Sequence, residues 1–288
     1  MQPITKPTSV IRFDTTAALR QHLAPLRSGQ LIGLVPTMGA LHEGHMSLIE
    51  AARQANDLVV ASVFVNPAQF NNPDDLARYP RAPDDDYRML EAAGCHVVLA
   101  PSVTEMYSEP PTLRLNFGEL ETVMEGAFRP GHFNGVGIVV AKLFNIVQPH
   151  RAYFGQKDLQ QVAVVRRLIR DLSFPVELVR CPTVREADGL AMSSRNRNLT
   201  PEERILAPAL HEALTLAHDL LVEGQSTAQA KAAVTGFFSG NPNFRLEYVE
   251  IANADTLQPV GEVLAPGQTA ICLAVQLGKV RLIDNIVF

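Results

Sequence analysis

The segment Leu58–Val65, LVVASVFV, limits the fold more than any other stretch of the chain. It is β-branched and apolar with no alternation, so a strand built from it must be covered on both faces. Its surroundings read the same way. Asp14–Leu26 carries apolar residues at helical spacing with Asp14 as cap, and Leu31–Val35 reads as a buried strand ended by Pro36. Gly44–Ala55 reads as a helix, Asp84–Ala93 as a helix closed by Gly94, and His96–Ala100 as a strand stopped by Pro101. A helix over Val136–Val147, a strand at Ala152–Phe154, a helix over Leu159–Leu172 and a strand at Val176–Val179 follow. Strand–helix units repeated at this length predict an α/β fold, a Rossmann-like parallel sheet with helices on both faces.

Beyond Thr183 the pattern changes. Thr200 and Glu203 form a capping-box signature around Pro201, opening a long helix from Glu202 to about Val222. A helix over Thr227–Phe237 and strands at Phe244–Ile251, Gln268–Leu277 and Val280–Ile286 come next, the last two joined by a Gly278-Lys279 hairpin turn. The 288 residues suit about two domains. The expected division is 1–183 for the sheet domain and 184–288 for a smaller α+β domain.

Composition excludes several function classes. A net charge of −5 and a pI near 5.9 offer no basic field for a nucleic-acid backbone. Cys95, Cys181 and Cys272 are odd in number and far apart, which argues against a disulfide framework or a thiolate zinc site. Met1–Val10 lacks the apolar core of a secretory signal, and no window nears 18 uninterrupted apolar residues. The expectation is a cytoplasmic protein that neither spans a membrane nor binds nucleic acid. Charged residues at 19% fall below the usual quarter, which points to an extended buried surface or an oligomer interface.

The chemistry-bearing segments sit at strand ends. Pro36-Thr37-Met38-Gly39-Ala40-Leu41-His42-Glu43-Gly44-His45 joins the first sheet strand to the next helix, where open α/β sheets take ligands. A helix N-terminus there favours phosphate, Gly39 and Gly44 let backbone approach it, and His42 and His45 share one turn. Gly155-Gln156-Lys157-Asp158 again follows a strand and opens a helix, with Gln160 and Gln161 one turn on. Lys157 there suits a phosphate; a helix start capped by Asp158 reads equally well. Met192-Ser193-Ser194-Arg195-Asn196 suits a mobile phosphate clamp, although an interdomain linker has the same composition. Asn66-Pro67-Ala68-Gln69-Phe70 offers amides for a polar hydroxylated substrate, or a structural Asx turn. Asp84-Asp85-Asp86 reads first as an acidic helix start and second, through Asp85 and Asp86, as carboxylates for an ATP-bound Mg²⁺. Arg129-Pro130-Gly131-His132-Phe133 reads first as a turn and second as a source of two anion contacts. Neither GxxxxGK[ST] nor GxGxxG is present, so P-loop kinases and simple dinucleotide oxidoreductases are excluded. The set suits attack at the α-phosphate of ATP with release of pyrophosphate.

The ordered segments PTMGALHEGH, FVNPAQF, RPGHFNGV, FGQKDLQQ and MSSRN resemble the pantoate–β-alanine ligase (pantothenate synthetase) family, within the HIGH-type nucleotidyltransferases. One departure is Gln156, where relatives often carry an acidic residue. The resemblance implies condensation of (R)-pantoate with β-alanine through a pantoyl adenylate, with MgATP consumed and AMP and pyrophosphate released. It implies catalytic roles for His42, His45, Lys157 and Arg195, with His45 the charge stabiliser or general acid. ATP contacts would come from Met38, Gly39, Ala40, Leu41, His42, Glu43, Gly44 and His45, from Gly155, Gln156, Lys157 and Asp158, and from Val184, Met192, Ser193, Ser194 and Arg195. Gln69 and Gln161 would hold pantoate, with Gln69 also near β-alanine. The smaller domain would act as a lid, and the protein would be a homodimer. Two other classes remain open at this point: a nucleotidyltransferase that adenylylates a phosphorylated precursor, and a non-catalytic nucleotide-binding module. The Gln69 and Gln161 amides favour an uncharged polyol acid and hence the ligase.

Overall fold

The computed structural model describes residues 9–288, so the reading of the chain's start falls almost wholly outside the described residues. Two compact units emerge: Met1–Gly155 with Val164–Cys181, and Gln156–Ala163 with Pro182–Phe288.

The first unit runs β1 (Ile11–Phe13), α1 (Thr16–Leu23), β2 (Ile32–Thr37), α2 (Glu43–Ala55), β3 (Leu58–Val63), α3 (Pro73–Arg78), α4 (Pro83–Ala92), β4 (Val97–Leu99), α5 (Val103–Met106), α6 (Met124–Phe128), α7 (His132–Val147), β5 (Arg151–Gly155), α8 (Leu159–Asp171, begun in the second unit) and β6 (Glu177–Cys181). The sheet order is β1-β4-β3-β2-β5-β6, and every pairing is parallel. Leu58, Val59, Val60 and Ala61 of β3 are all buried, as an interior parallel strand requires. From β2 the chain steps outward to β3 and β4, then returns to β5 on the other side of β2. That reversal makes the carboxyl ends of β2 and β5 a topological switch point, the usual ligand crevice of an open α/β sheet.

Local differences have local causes. β2 continues through Pro36 to Thr37, because its ladder with β3 runs on to Thr37↔Val63 while its pairing with β5 is confined to Gly33 and Leu34. A residue lacking an N–H is tolerated where one neighbour is absent. The cap of α1 is Thr15, whose Oγ1 accepts from Ala18 N at 3.3 Å, and not Asp14. α7 starts at His132, ahead of Val136; the polar and glycine residues of its first turn obscure the apolar period.

The second unit holds α9 (Pro201–Leu206), α10 (Ala209–Val222), α11 (Thr227–Ser239), β7 (Phe244–Asn253), β8 (Thr269–Leu277) and β9 (Val280–Val287), with the strands antiparallel in that order. The capping box of Thr200 and Glu203 forms. The single long helix expected after it does not. Pro208 lacks an N–H and crowds the preceding turn, so the chain breaks between α9 and α10. The stretch Pro201–Val222 has the length and apolarity of a membrane span. Its Leu210, Leu214 and Leu221 are instead buried against Ile271, Leu273 and Val275 in this unit's core. The three cysteines are buried free thiols, and burial pushes Cys95 up to about 12.

Candidate functional site

In the first unit the loop between β2 and α2 is held from below. Asp86 of α4 is 2% exposed. Its Oδ2 accepts from Ala40 N at 3.0 Å and its Oδ1 from Leu41 N at 2.7 Å. Gly39 has φ +77, and a Cβ there would lie 2.8 Å from Asp86 Oδ2, so no other residue fits that bend. Thr37 completes the anchor, its Oγ1 donating to Ser62 O at 2.6 Å and accepting from Gly39 N at 3.3 Å. Asp84, Asp85 and Asp86 stand in the first turn of α4, which is the first of the two readings given to them. Asp86 has both oxygens on backbone amides, Asp85 pairs with exposed Arg88, and no cluster of three metal-ligating side chains exists among the described residues.

His42 is the N-cap of α2 and His45 its third residue, and the two form a reciprocal capping box. His42 Nδ1 accepts from Gly44 N at 3.2 Å, and His45 Nδ1 accepts from His42 N at 3.3 Å. A backbone N–H can only donate, so in the neutral rings the proton sits on Nε2 in both. The ring centroids are 4.1 Å apart. Two Nε2–H donors therefore stand side by side at the start of α2. Gly44 N and His42 N are thus engaged by the two imidazoles.

Gln69 ends a short 3₁₀ turn, Pro67–Gln69, capped by Asn66. The Asn66 amide has one possible orientation. Its Oδ1 accepts from Ala68 N at 3.2 Å and from Tyr107 Oη at 2.9 Å, and its Nδ2 donates to Gly135 O at 3.1 Å. Burial pushes Tyr107 up to about 12, so its hydroxyl keeps the proton that it donates. Asn66 Nδ2 also donates to Gln69 Oε1 at 3.1 Å. Gln69 is thereby left to present Nε2, which lies 3.0 Å from Met38 Sδ. The buried His132 fixes the same residue through its main chain, with Nδ1 2.7 Å from Gln69 O, and Arg129 lies 3.3 Å from His132 Nε2 and 3.6 Å from Glu125. The turn read at Arg129–Phe133 thus supports Gln69 from behind. Asn66 and His132 had ambiguous signals in the sequence, and Tyr107 had none.

In the second unit, Gln156–Asp158 is a 3₁₀ turn ahead of α8. Lys157 precedes the α-helix, so its four-residue spacing to Gln161 does not by itself put the two on one helical face. The Lys157 side chain is 18% exposed, with Nζ 3.8 Å from Asp158 Oδ1. Gln160 is buried and Gln161 half-buried. Val184 and Met192 meet through Met192 N donating to Val184 O at 3.0 Å. Ser193 caps a 3₁₀ turn, Ser194–Asn198, its Oγ accepting from Arg195 N at 3.2 Å, and Ser194 is buried. The MSSRN segment forms a turn in which Ser193 Oγ accepts from Arg195 N and Asn196 Nδ2 donates to Ala191 O.

Comparison with known proteins agrees on one family. The family model described as pantoate-beta-alanine ligase matches residues 11–287. A pantothenate synthetase of Moorella thermoacetica is 52% identical over 277 residues, which is 96% of this chain and 97% of that protein. The crystal structure of pantothenate synthetase from Thermus thermophilus superposes with a TM-score of 0.91 at 47% identity, covering 96% of this chain and 99% of that one. A pantoate-beta-alanine ligase from Francisella tularensis, solved with beta-gamma ATP and beta-alanine, gives a TM-score of 0.80 at 34% identity over 97% and 98% of the two chains.

Proposed function

This chain belongs to the pantoate-beta-alanine ligase family, and on that premise we propose how its residues divide the work of joining pantoate to β-alanine. The enzyme condenses the two in an ATP-dependent reaction. A pantoate carboxylate oxygen bonds to the α-phosphorus of ATP while the bond to pyrophosphate breaks. The amine of β-alanine then attacks the acyl carbon of the pantoyl adenylate, and AMP leaves.

The observation that carries the residue assignment is the histidine capping box. With each Nδ1 accepting a backbone N–H, His42 and His45 both offer Nε2–H toward a phosphate oxygen. Paired donors prepositioned where negative charge grows are the usual means of lowering such a barrier. Lys157 and Arg195, with Ser193 and Ser194, neutralise the departing pyrophosphate; Met192 contacts ATP, and the backbone at Val184 meets the adenine. Gln69, set to present Nε2, donates to a pantoate oxygen and lies close to where β-alanine enters; Gln161 supplies the second amide. Mg²⁺ arrives as part of the substrate MgATP. Asp86 is engaged by Ala40 N and Leu41 N, so no step is routed through a protein-held ion. The division into a nucleotide- and pantoate-binding unit (1–183) and a lid (184–288), the homodimer and the cytoplasmic location belong to the same proposal.

The test is exchange of labelled pyrophosphate into ATP. Exchange should require pantoate and proceed without β-alanine. Normal ligation with no such exchange would rule out a free-standing adenylate step.

A further inference from the structure

The strand β9 carries two adjacent buried polar residues, Asp284 and Asn285, each 3% exposed. Neighbouring side chains of a strand point to opposite faces, so both faces of β9 hold a polar group away from water. Such groups are retained only where partners satisfy them.

The partners of Asn285 are specific. Its Nδ2 donates to Gln156 O and to Lys157 O, each at 2.9 Å, and its Oδ1 lies 3.4 Å from Gln156 Nε2. The two carbonyls can only accept, so the amide orientation is fixed. Gln156 O belongs to the peptide plane before Lys157, and Lys157 O to the plane after it. Holding both planes fixes the backbone dihedrals of Lys157, and with them the direction of its Cα–Cβ bond. Asn285 is itself clamped. Its N donates to Asp284 Oδ1 at 2.7 Å, and Arg185 Nη2 donates to its carbonyl at 3.3 Å. Arg185 also grips Asp284 with two hydrogen bonds, at 2.6 and 3.1 Å.

We infer that Asn285 is a positioning residue for the ligase reaction: it aims Lys157 by bracketing that residue's two peptide planes. The inference rests on the reading that Lys157 meets the phosphates. The Asp284–Arg185 pair holds the bracket rigid. Asn285 needs no contact with any substrate, and its effect should pass through the lysine alone.

A double-mutant cycle on the full chain tests this, reading pantoate-dependent pyrophosphate exchange, with circular dichroism and thermal melting on every variant. Asn285→Ala should slow exchange about 10- to 100-fold, the size expected when a reacting group is misplaced by about 1 Å. In the Lys157→Ala background the same change should cost less than about twofold, since groups acting through one another are not additive. If Asn285→Ala does not fold, Asn285→Ser, which keeps one donor, takes its place, with a smaller loss that again vanishes without Lys157. If Lys157→Ala exchanges normally, the phosphate reading fails and this inference with it. If Lys157→Ala is impaired but the Asn285 variant is silent, or multiplies a further full loss onto it, the positioning role alone is overturned.

Discussion

His45 uses its two ring nitrogens for two different purposes. Nδ1 closes the capping box by accepting from His42 N, and in the proposed mechanism Nε2–H is the donor that meets a phosphate oxygen. A cap is worth about 0.5–2 kcal/mol, whereas a positioned charge stabiliser is worth about 10²–10⁴ in rate. Substitution can separate the two. His45→Ala loses both, so adenylation should fall by about 10²–10⁴ and the melting temperature should drop. His45→Glu restores a carboxylate at the third helical position, the usual acceptor of a capping box, but replaces the N–H donor with a negative charge. It should melt nearer to the unsubstituted protein than the alanine variant does and be at least as inactive. An active, destabilised glutamate variant would show that His45 serves the helix and not the phosphate.

Packing of α7 against the Pro67–Gln69 turn shows how much of the site depends on elements far apart in sequence. Gly135 of α7 lies directly under that turn: a Cβ there would fall on the carbonyl of Ala68, and Asn66 Nδ2 donates to Gly135 O at 3.1 Å. Gly135→Ala must therefore push the helix and the turn apart. Such overpacking costs about 1–3 kcal/mol, and it should weaken pantoate binding far more than ATP binding, because Gln69 rides on the displaced turn. Calorimetry with each ligand alone checks this; equal losses for both would mean the strain spreads beyond the turn. The same contact explains what was legible in the sequence. Strands such as β3 and the glycine-bearing loop before His42 announce themselves through local pattern, as does the capping box at Thr200. Asp86 looks like any acidic helix start until the fold brings α4 beneath Ala40 and Leu41. Tyr107, His132 and Asn285 act on residues 41, 63 and 128 positions away, and no local pattern encodes that. β1 is three residues long and mostly exposed, so it has no period to detect.

At the scale of the whole chain, the low content of charge accompanies several buried acids that are neutral at ordinary pH. Burial pushes the Cys95 thiol up to about 12 and raises Cys181, and it pushes Tyr107 up to about 12 and raises Tyr153. Each group ionises more easily in the unfolded chain, where a thiol titrates near 9 and a phenol near 10. Below pH 9 both states hold these protons, and stability does not depend on them. Above it the unfolded state loses protons that the native state keeps, so stability must fall as pH rises. Each such group contributes a slope of about 1.4 kcal/mol per pH unit until its native value is passed. For Cys95 alone the window runs from about 9 to about 12, a total of up to about 4 kcal/mol. Urea midpoints should therefore hold steady from pH 7 to 8.5 and decline through pH 11. Cys95→Ser should shallow that decline, because serine does not ionise in this range and its hydroxyl can still donate to Val97 O, 3.3 Å from the sulfur. Cys95 is fully buried, so a thiol reagent at pH 8 should label it only as fast as the native state opens, and all three thiols at once in urea. A midpoint that stays flat to pH 11 would mean these groups ionise without unfolding the protein, and that their burial is less complete than the packing of β3 and β4 around Cys95 requires.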